Sequence, residues 1–193
     1  MNPLGLSQRL KTAPATTPVS LSEVKEWLRI DHSAEDTSLT NLIKAATKRA
    51  EELTNLKFIS QTWSIYFDAF PESNILDLRM GRLISVTHVK SYDESNVATT
   101  FGATNYIAET SGAHGAIALK TGALWPVTIL KPKGGVEIEA IFGFGANASD
   151  VPEDIRTAIL EICVALYDGR GNEEIKPLPA SASALLGPYR VAP

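Results

Sequence analysis

Three histidines and one cysteine are the first residues to test for chemistry. His32, His88 and His114 lie far apart in sequence, and no Gly-x-Ser-x-Gly elbow accompanies them, so a hydrolase triad has neither nucleophile nor base at a usable spacing. A lone Cys163 excludes an intrachain disulfide framework and a cysteine-based zinc site. It falls on the apolar face of a helical pattern, where a free thiol acts as a small hydrophobe. Gly143-Phe144-Gly145-Ala146-Asn147-Ala148 fits G-x-G-x-x-A after a strand and before a helix. A dinucleotide site would need that helix N-terminus on the pyrophosphate and a second parallel strand beyond it. Here Asp150 puts a negative charge at the helix start, and a proline-rich stretch follows the helix. The glycines read instead as the exit from a β segment. Paired carboxylates at Glu51-Glu52, Asp93-Glu94 and Glu173-Glu174 read as solvated charge. No catalytic, cofactor or metal residue is assigned.

The elements that would have to position any site are clearer. Ser20-x-x-Glu23 has capping-box spacing ahead of Val24, Trp27, Leu28 and Ile30, which predicts a helix over 21–30. Leu39, Leu42, Ile43, Ala46, Ala50 and Leu53 form one apolar stripe, predicting a second helix of about 20 residues. After residue 60 the period changes from 3.6 to 2. Trp63, Ile65 and Phe67 alternate with polar neighbours, and strand-like runs recur near 75–78, 83–89, 104–109, 115–120 and 136–142. Eight of the thirteen glycines lie between 100 and 145. An antiparallel module of five to seven short strands is expected. The helical stripe returns at Ile155, Ile159, Ile162 and Leu166, and Gly169 should end it.

The expected fold class is therefore α+β: a small helical bundle with an inserted antiparallel β module and an extended C-terminal tail. The expected organisation is a flexible arm over 1–18, a helical part over 19–59, the β module over 60–146, a helix completing the bundle over 147–169, and a tail over 170–193. That tail carries prolines 177, 179, 188 and 193 and an Ala/Ser run. It is expected to be mobile when free and to order on a partner through its apolar cluster.

Length and charge narrow the classes further. The chain has 193 residues, 44% hydrophobic and 21% charged, which suits a globular core and not wholesale disorder. Lys and Arg total 18 against 22 Asp and Glu, a net charge of −4. A free-standing nucleic-acid binder usually shows the opposite balance. No run approaches the ~20 apolar residues of a membrane helix, and the first 18 residues lack a signal-peptide apolar core, so a soluble protein made in a reducing cytoplasm is expected.

The order of several short motifs points to a family. Val19 to His32 (VSLSEVKEWLRIDH), with Glu35-Asp36 and the long helix behind it, resembles the opening of head–tail connector proteins of tailed bacteriophages and related gene transfer agents. Ile59-Ser60-Gln61-Thr62-Trp63 and Leu83-Ile84-Ser85-Val86 are similar to two strands of that family, although Gly81-Arg82 stands where a proline is common. Phe142 to Gly145, Val151 to Leu160 and Leu185 to Val191 complete the resemblance. It implies a structural protein with no catalytic residue: a ring subunit, usually twelve copies, in the virion neck beneath the portal. The ring bridges portal to stopper or tail components and lets DNA pass without sequence-specific binding. It also implies portal contact by the C-terminal segment, assigned here to Leu185, Leu186, Pro188, Tyr189 and Arg190. No cofactor and no membrane are implied. The alternative is a small ligand-binding protein or enzyme with a site in the β module around Trp63, Tyr92, Tyr106, His114 and Trp125.

Overall fold

A computed structural model describes residues 6–112, 114–170 and 178–191. The chain divides into two compact units. One comprises the segment ending at Ala13 together with Ser60–Gly143, and the other Pro14–Ile59 together with the segment from Phe144.

The helical unit begins at α1 (Leu21–Leu28), where the capping box forms as the spacing predicts. Glu23 N–H donates to Ser20 Oγ at 3.2 Å, and Ser20 N–H donates to the Glu23 carboxylate at 2.7 Å. Arg29 then closes the helix in the left-handed region at φ 57. α2 (Asp36–Thr54) buries Leu39, Ile43, Ala46 and Ala50, the predicted stripe. α3 (Glu153–Asp168) buries Ile155, Ala158, Ile159, Leu160, Ile162 and Cys163 against it. Each large aliphatic side chain so buried contributes about 1.5–3 kcal/mol. Arg156 ties the start of the unit down. Its Nε donates to Pro18 O at 3.1 Å, and its other nitrogens pair with Glu153 and Glu23.

The β unit holds two antiparallel sheets. The larger has the order β1-β2-β8-β4-β5, built from β1 (Ser7–Thr12), β2 (Gln61–Phe67), β8 (Val136–Phe142), β4 (Leu83–Tyr92) and β5 (Ala98–Phe101). The smaller has the order β3-β7-β6, from β3 (Ile75–Asp77), β7 (Ala116–Leu119) and β6 (Tyr106–Glu109). Ile65, Phe67, Ile138 and Val89 from the first sheet share one core with Leu76, Ile117 and Tyr106 from the second.

Two expectations are corrected. The 1–18 segment is not an arm throughout: residues 7–12 pair with β2, and Pro18 and Val19 are buried. Gln8-Arg9-Leu10-Lys11 carries too few apolar residues to signal a strand. What holds it is long-range, the ladder with β2 and the ion pair of Lys11 with Glu139. The C-terminal tail is also not extended where it is described. Ala180–Leu186 form α4, with Ala182 and Leu186 fully buried against the helical core. Residues 171–177 lie outside the described residues.

The Gly-x-Gly motif is explained by packing. Gly143 adopts φ 143, a conformation side chains disfavour. A Cβ on Gly145 would sit 2.5 Å from Asp150 Cβ, so the backbone would have to move. Asp150 cannot yield, because its carboxylate accepts the Asn147 N–H at 2.8 Å. Gly145→Ala is therefore expected to cost about 1–3 kcal/mol by overpacking, read as a lowered melting temperature. Gly187→Ala, where nothing lies within 4 Å, should leave it unchanged or slightly raised.

Candidate functional site

The C-terminal segment was the sequence-based candidate, and the structure splits it. Leu186 is 0% exposed and belongs to the core of the helical unit, while Leu185 and Tyr189 are half-buried against the same core. Pro188 and Arg190 are exposed. The segment is pinned near its end, where Val191 N–H donates to Thr54 O, at the end of α2, at 3.0 Å. The Tyr189 hydroxyl reaches the Asp154 carboxylate at 3.5 Å, and burial followed by that charge pushes its pKa up. So Leu186 is committed to folding, and the outward surface consists of Pro188, Arg190 and the exposed parts of Leu185 and Tyr189.

The residues named for a ligand site in the β module do not converge on a pocket. Tyr106 stacks on Phe101 with ring centroids 5.9 Å apart, and Trp125 stacks on Phe70 at 5.0 Å. Trp125 Nε1–H also donates to Ser73 O at 2.8 Å. Trp63 donates from Nε1 to the Gln61 side chain. Tyr92 belongs to a different neighbourhood, beside Glu137. These are packing roles. The histidines are scattered likewise: His32 is exposed, His88 stands on β4 and His114 precedes β7. Among the described residues no three His, Cys, Asp or Glu side chains gather to hold a metal ion. Cys163 is buried, and burial pushes its thiol up to about 12, far from a reactive thiolate.

The sequence reading passed over a polar network on one face of the larger sheet. The alternation Val136-Glu137-Ile138-Glu139 signals two glutamates on a common face, and such a face is ordinarily solvated. Both are nevertheless only 8% exposed. Glu137 accepts from Tyr66 at 3.0 Å through one oxygen and from Tyr92 through the other. Burial pushes its carboxyl up, but the hydroxyls of Tyr92, Tyr66 and Ser64 and the nearby His88 outweigh this, leaving it below the usual carboxylate range. Glu139 takes the Lys11 ammonium and lies 4.0 Å from His88 Nε2. Burial, then the Lys90 charge, holds His88 below the usual imidazole range. The network glues β1, β2, β8 and β4 together.

Comparison with known proteins agrees with a structural reading. No curated protein matches the chain. The family of phage gp6-like head–tail connector proteins matches residues 18–100. Among solved structures, the neck of an empty gene transfer agent particle, determined with C6 symmetry, superposes with a TM-score of 0.83 at 24% identity, covering 97% of this chain and 96% of that one. A chain from the virion of the native particle gives 0.82 at 25% identity, with 96% of each chain covered. The native neck with C12 symmetry gives 0.80 at 24% identity, with 97% and 96% covered. Over residues 18–100 the sequence is similar to the gp6-like head–tail connector family, and over nearly its whole length the chain shares the fold of a gene transfer agent neck chain.

Proposed function

We propose that the protein is a structural subunit of the neck of a phage-like particle, where copies form a ring through which DNA passes. The observation that carries this reading is the full-length likeness to neck chains, with both chains covered almost end to end. A conduit needs no catalytic group. The net charge of −4 suits passage as well, because a strongly basic lumen would hold phosphates by counterion release and oppose sliding.

The finer assignment is a ring of twelve copies seated between the portal and the stopper or tail-completion protein. The C12 symmetry belongs to the related neck, and it supports the copy number here by analogy of fold. For the portal side we assign the C-terminal surface. Pro188 and Arg190 are exposed, Leu185 and Tyr189 are partly so, and Leu186 supports them from beneath. An arginine beside an aromatic ring is a common interface anchor. Electron microscopy of particles carrying the wild-type protein should show a closed ring at the neck. Particles lacking the gene should accumulate as heads without tails. Isolated copies, or density away from the neck, would overturn the proposal.

A further inference from the structure

The β unit exposes an apolar surface that its own core does not use. Between β7 and β8 the chain runs through Leu124, Val127 and Ile129, which are 77%, 99% and 76% exposed. Ile75 and Ile107 add to it; both pair with Ala118, forming one cross-strand row on the outer face of the smaller sheet. They are 57% and 54% exposed. Scattered apolar side chains on a surface need no explanation, but here Trp125 ties the loop to Ser73, two residues from Ile75, and several exposed apolar side chains held in this way mark an interaction surface.

This loop is not loose. Trp125 stacks on Phe70 and reaches back to Ser73 O. Lys131 Nζ donates to Asn96 at 2.9 Å and stands 4.2 Å from the centre of the Tyr92 ring. Lys131 N–H donates to Tyr92 O, and Leu130 bridges to Asp93. The base is clamped while Leu124, Val127 and Ile129 project, so their exposure is built in and the ordering cost of docking is already partly met.

An acceptor of matching chemistry exists on the same chain. Leu21, Ser22, Lys25, Glu26 and Ile30 line an open groove of about 450 Å3 along α1. The loop from Lys120 to Gly135 carries three lysines and no carboxylate. Around the groove Glu26 and Asp31 are exposed, while the Lys25 ammonium is already paired with Asp36 at 2.8 Å. Arg29, at the end of α1, is the nearby cation that a docked loop must leave in water. A ring of identical subunits requires two different, complementary surfaces on each copy. Here are an apolar knob with basic flanks and a groove in which Leu21 and Ile30 stand beside Ser22, Lys25 and Glu26.

We infer that the 124–129 loop of one copy docks into the α1 groove of the next, against Leu21 and Ile30, and so joins neighbouring subunits of the ring. This rests on the ring reading above. The test uses full-length protein in assembled particles. Val127→Asp changes a side chain that touches nothing in the subunit, so its melting temperature should match wild type while ring assembly is lost. Val127→Cys combined with Ser22→Cys, an exposed residue of the groove, should give, with a short bismaleimide, a ladder of covalent oligomers; the buried Cys163 does not compete. Normal rings with Val127→Asp, or a cross-link confined within single chains, would overturn the inference. So would intact rings that fail only to bind a later neck component, because the loop would then serve a different partner. Wild-type particles imaged in parallel separate this from failure of the neck reading, since in that case no ring appears even in wild type.

Discussion

Deleting residues 178–193 is expected to unfold the helical unit, where an independent partner-binding tail would come off without a trace. Ala182 and Leu186 are fully buried, and Leu178, Leu185, Tyr189 and Val191 pack against the same core. Removing a buried leucine side chain alone costs about 2–5 kcal/mol, because a cavity is added to the lost transfer energy. A domain's whole stability is about 5–15 kcal/mol, so loss of the entire segment consumes most of it. Thermal melts followed by far-ultraviolet circular dichroism should show the helical signal lost or its midpoint greatly lowered. Leu186→Ala should reproduce a large part of this. Arg190→Ala, at an exposed position, should leave the midpoint within the small range expected of surface changes and weaken portal attachment. A deletion that melts like wild type would show that α4 does not stabilise the fold. A normal melt with normal portal attachment for Arg190→Ala would remove that residue from the interface.

The tail illustrates where sequence reading stops. Ala180-Ser181-Ala182-Ser183-Ala184 has no stripe of large apolar residues, and a seven-residue helix is too short to persist alone. Of these small residues only Ala182 is buried against the helical core, and that role is invisible until the rest of the core is in place. The opposite holds for α2. Its stripe of Leu39, Ile43, Ala46 and Ala50 states both the helix and its buried face, and no long-range knowledge is needed. The N-terminal capping box of α1 is likewise local chemistry, complete within four residues.

Strands sort in the same way. β2 and β8 alternate visibly, and β8 lies at the centre of its sheet. β1 and β5 are the edges, where exposed and mostly polar residues give no hydrophobic signal. Arg9, Lys11 and a register shift between Leu10 and Thr12 also suit an edge that must not pair with strangers. Gly143 and Gly145 form the motif most easily misread, since a turn that must pack against Asp150 and a turn that must admit a phosphate both exclude a Cβ. The acidic residue decided between them in the sequence, and the geometry gives that residue its task.

Replacing Glu137 should be markedly damaging to the β unit, although Glu137 is charged and lies on the polar face of its sheet. Glu137→Ala would leave the Tyr66 and Tyr92 hydroxyls without their acceptor in a nearly closed setting. Hydrogen bonds to a charged group contribute about 1.5–3 kcal/mol each, so a loss of about 2–4 kcal/mol is expected for a pair that shares one carboxylate. Glu137→Gln keeps the shape and removes the charge, and should cost less. The pH dependence separates this from simple packing. The folded carboxyl lies below its usual range, so its contribution is present above the unfolded value of about 4.3 and is lost as pH falls through the folded value. Tyr92 is the converse: its hydrogen bond to Glu137, aided by burial, raises it to about 12. Its contribution is full below the unfolded value of about 10 and fades as pH climbs towards 12. The stability of wild type relative to Glu137→Gln, measured by urea denaturation across pH, should therefore form a plateau that falls at both the acid and alkaline ends. A difference that stays constant from acid to alkali would mean that Glu137 acts through its volume and not its charge.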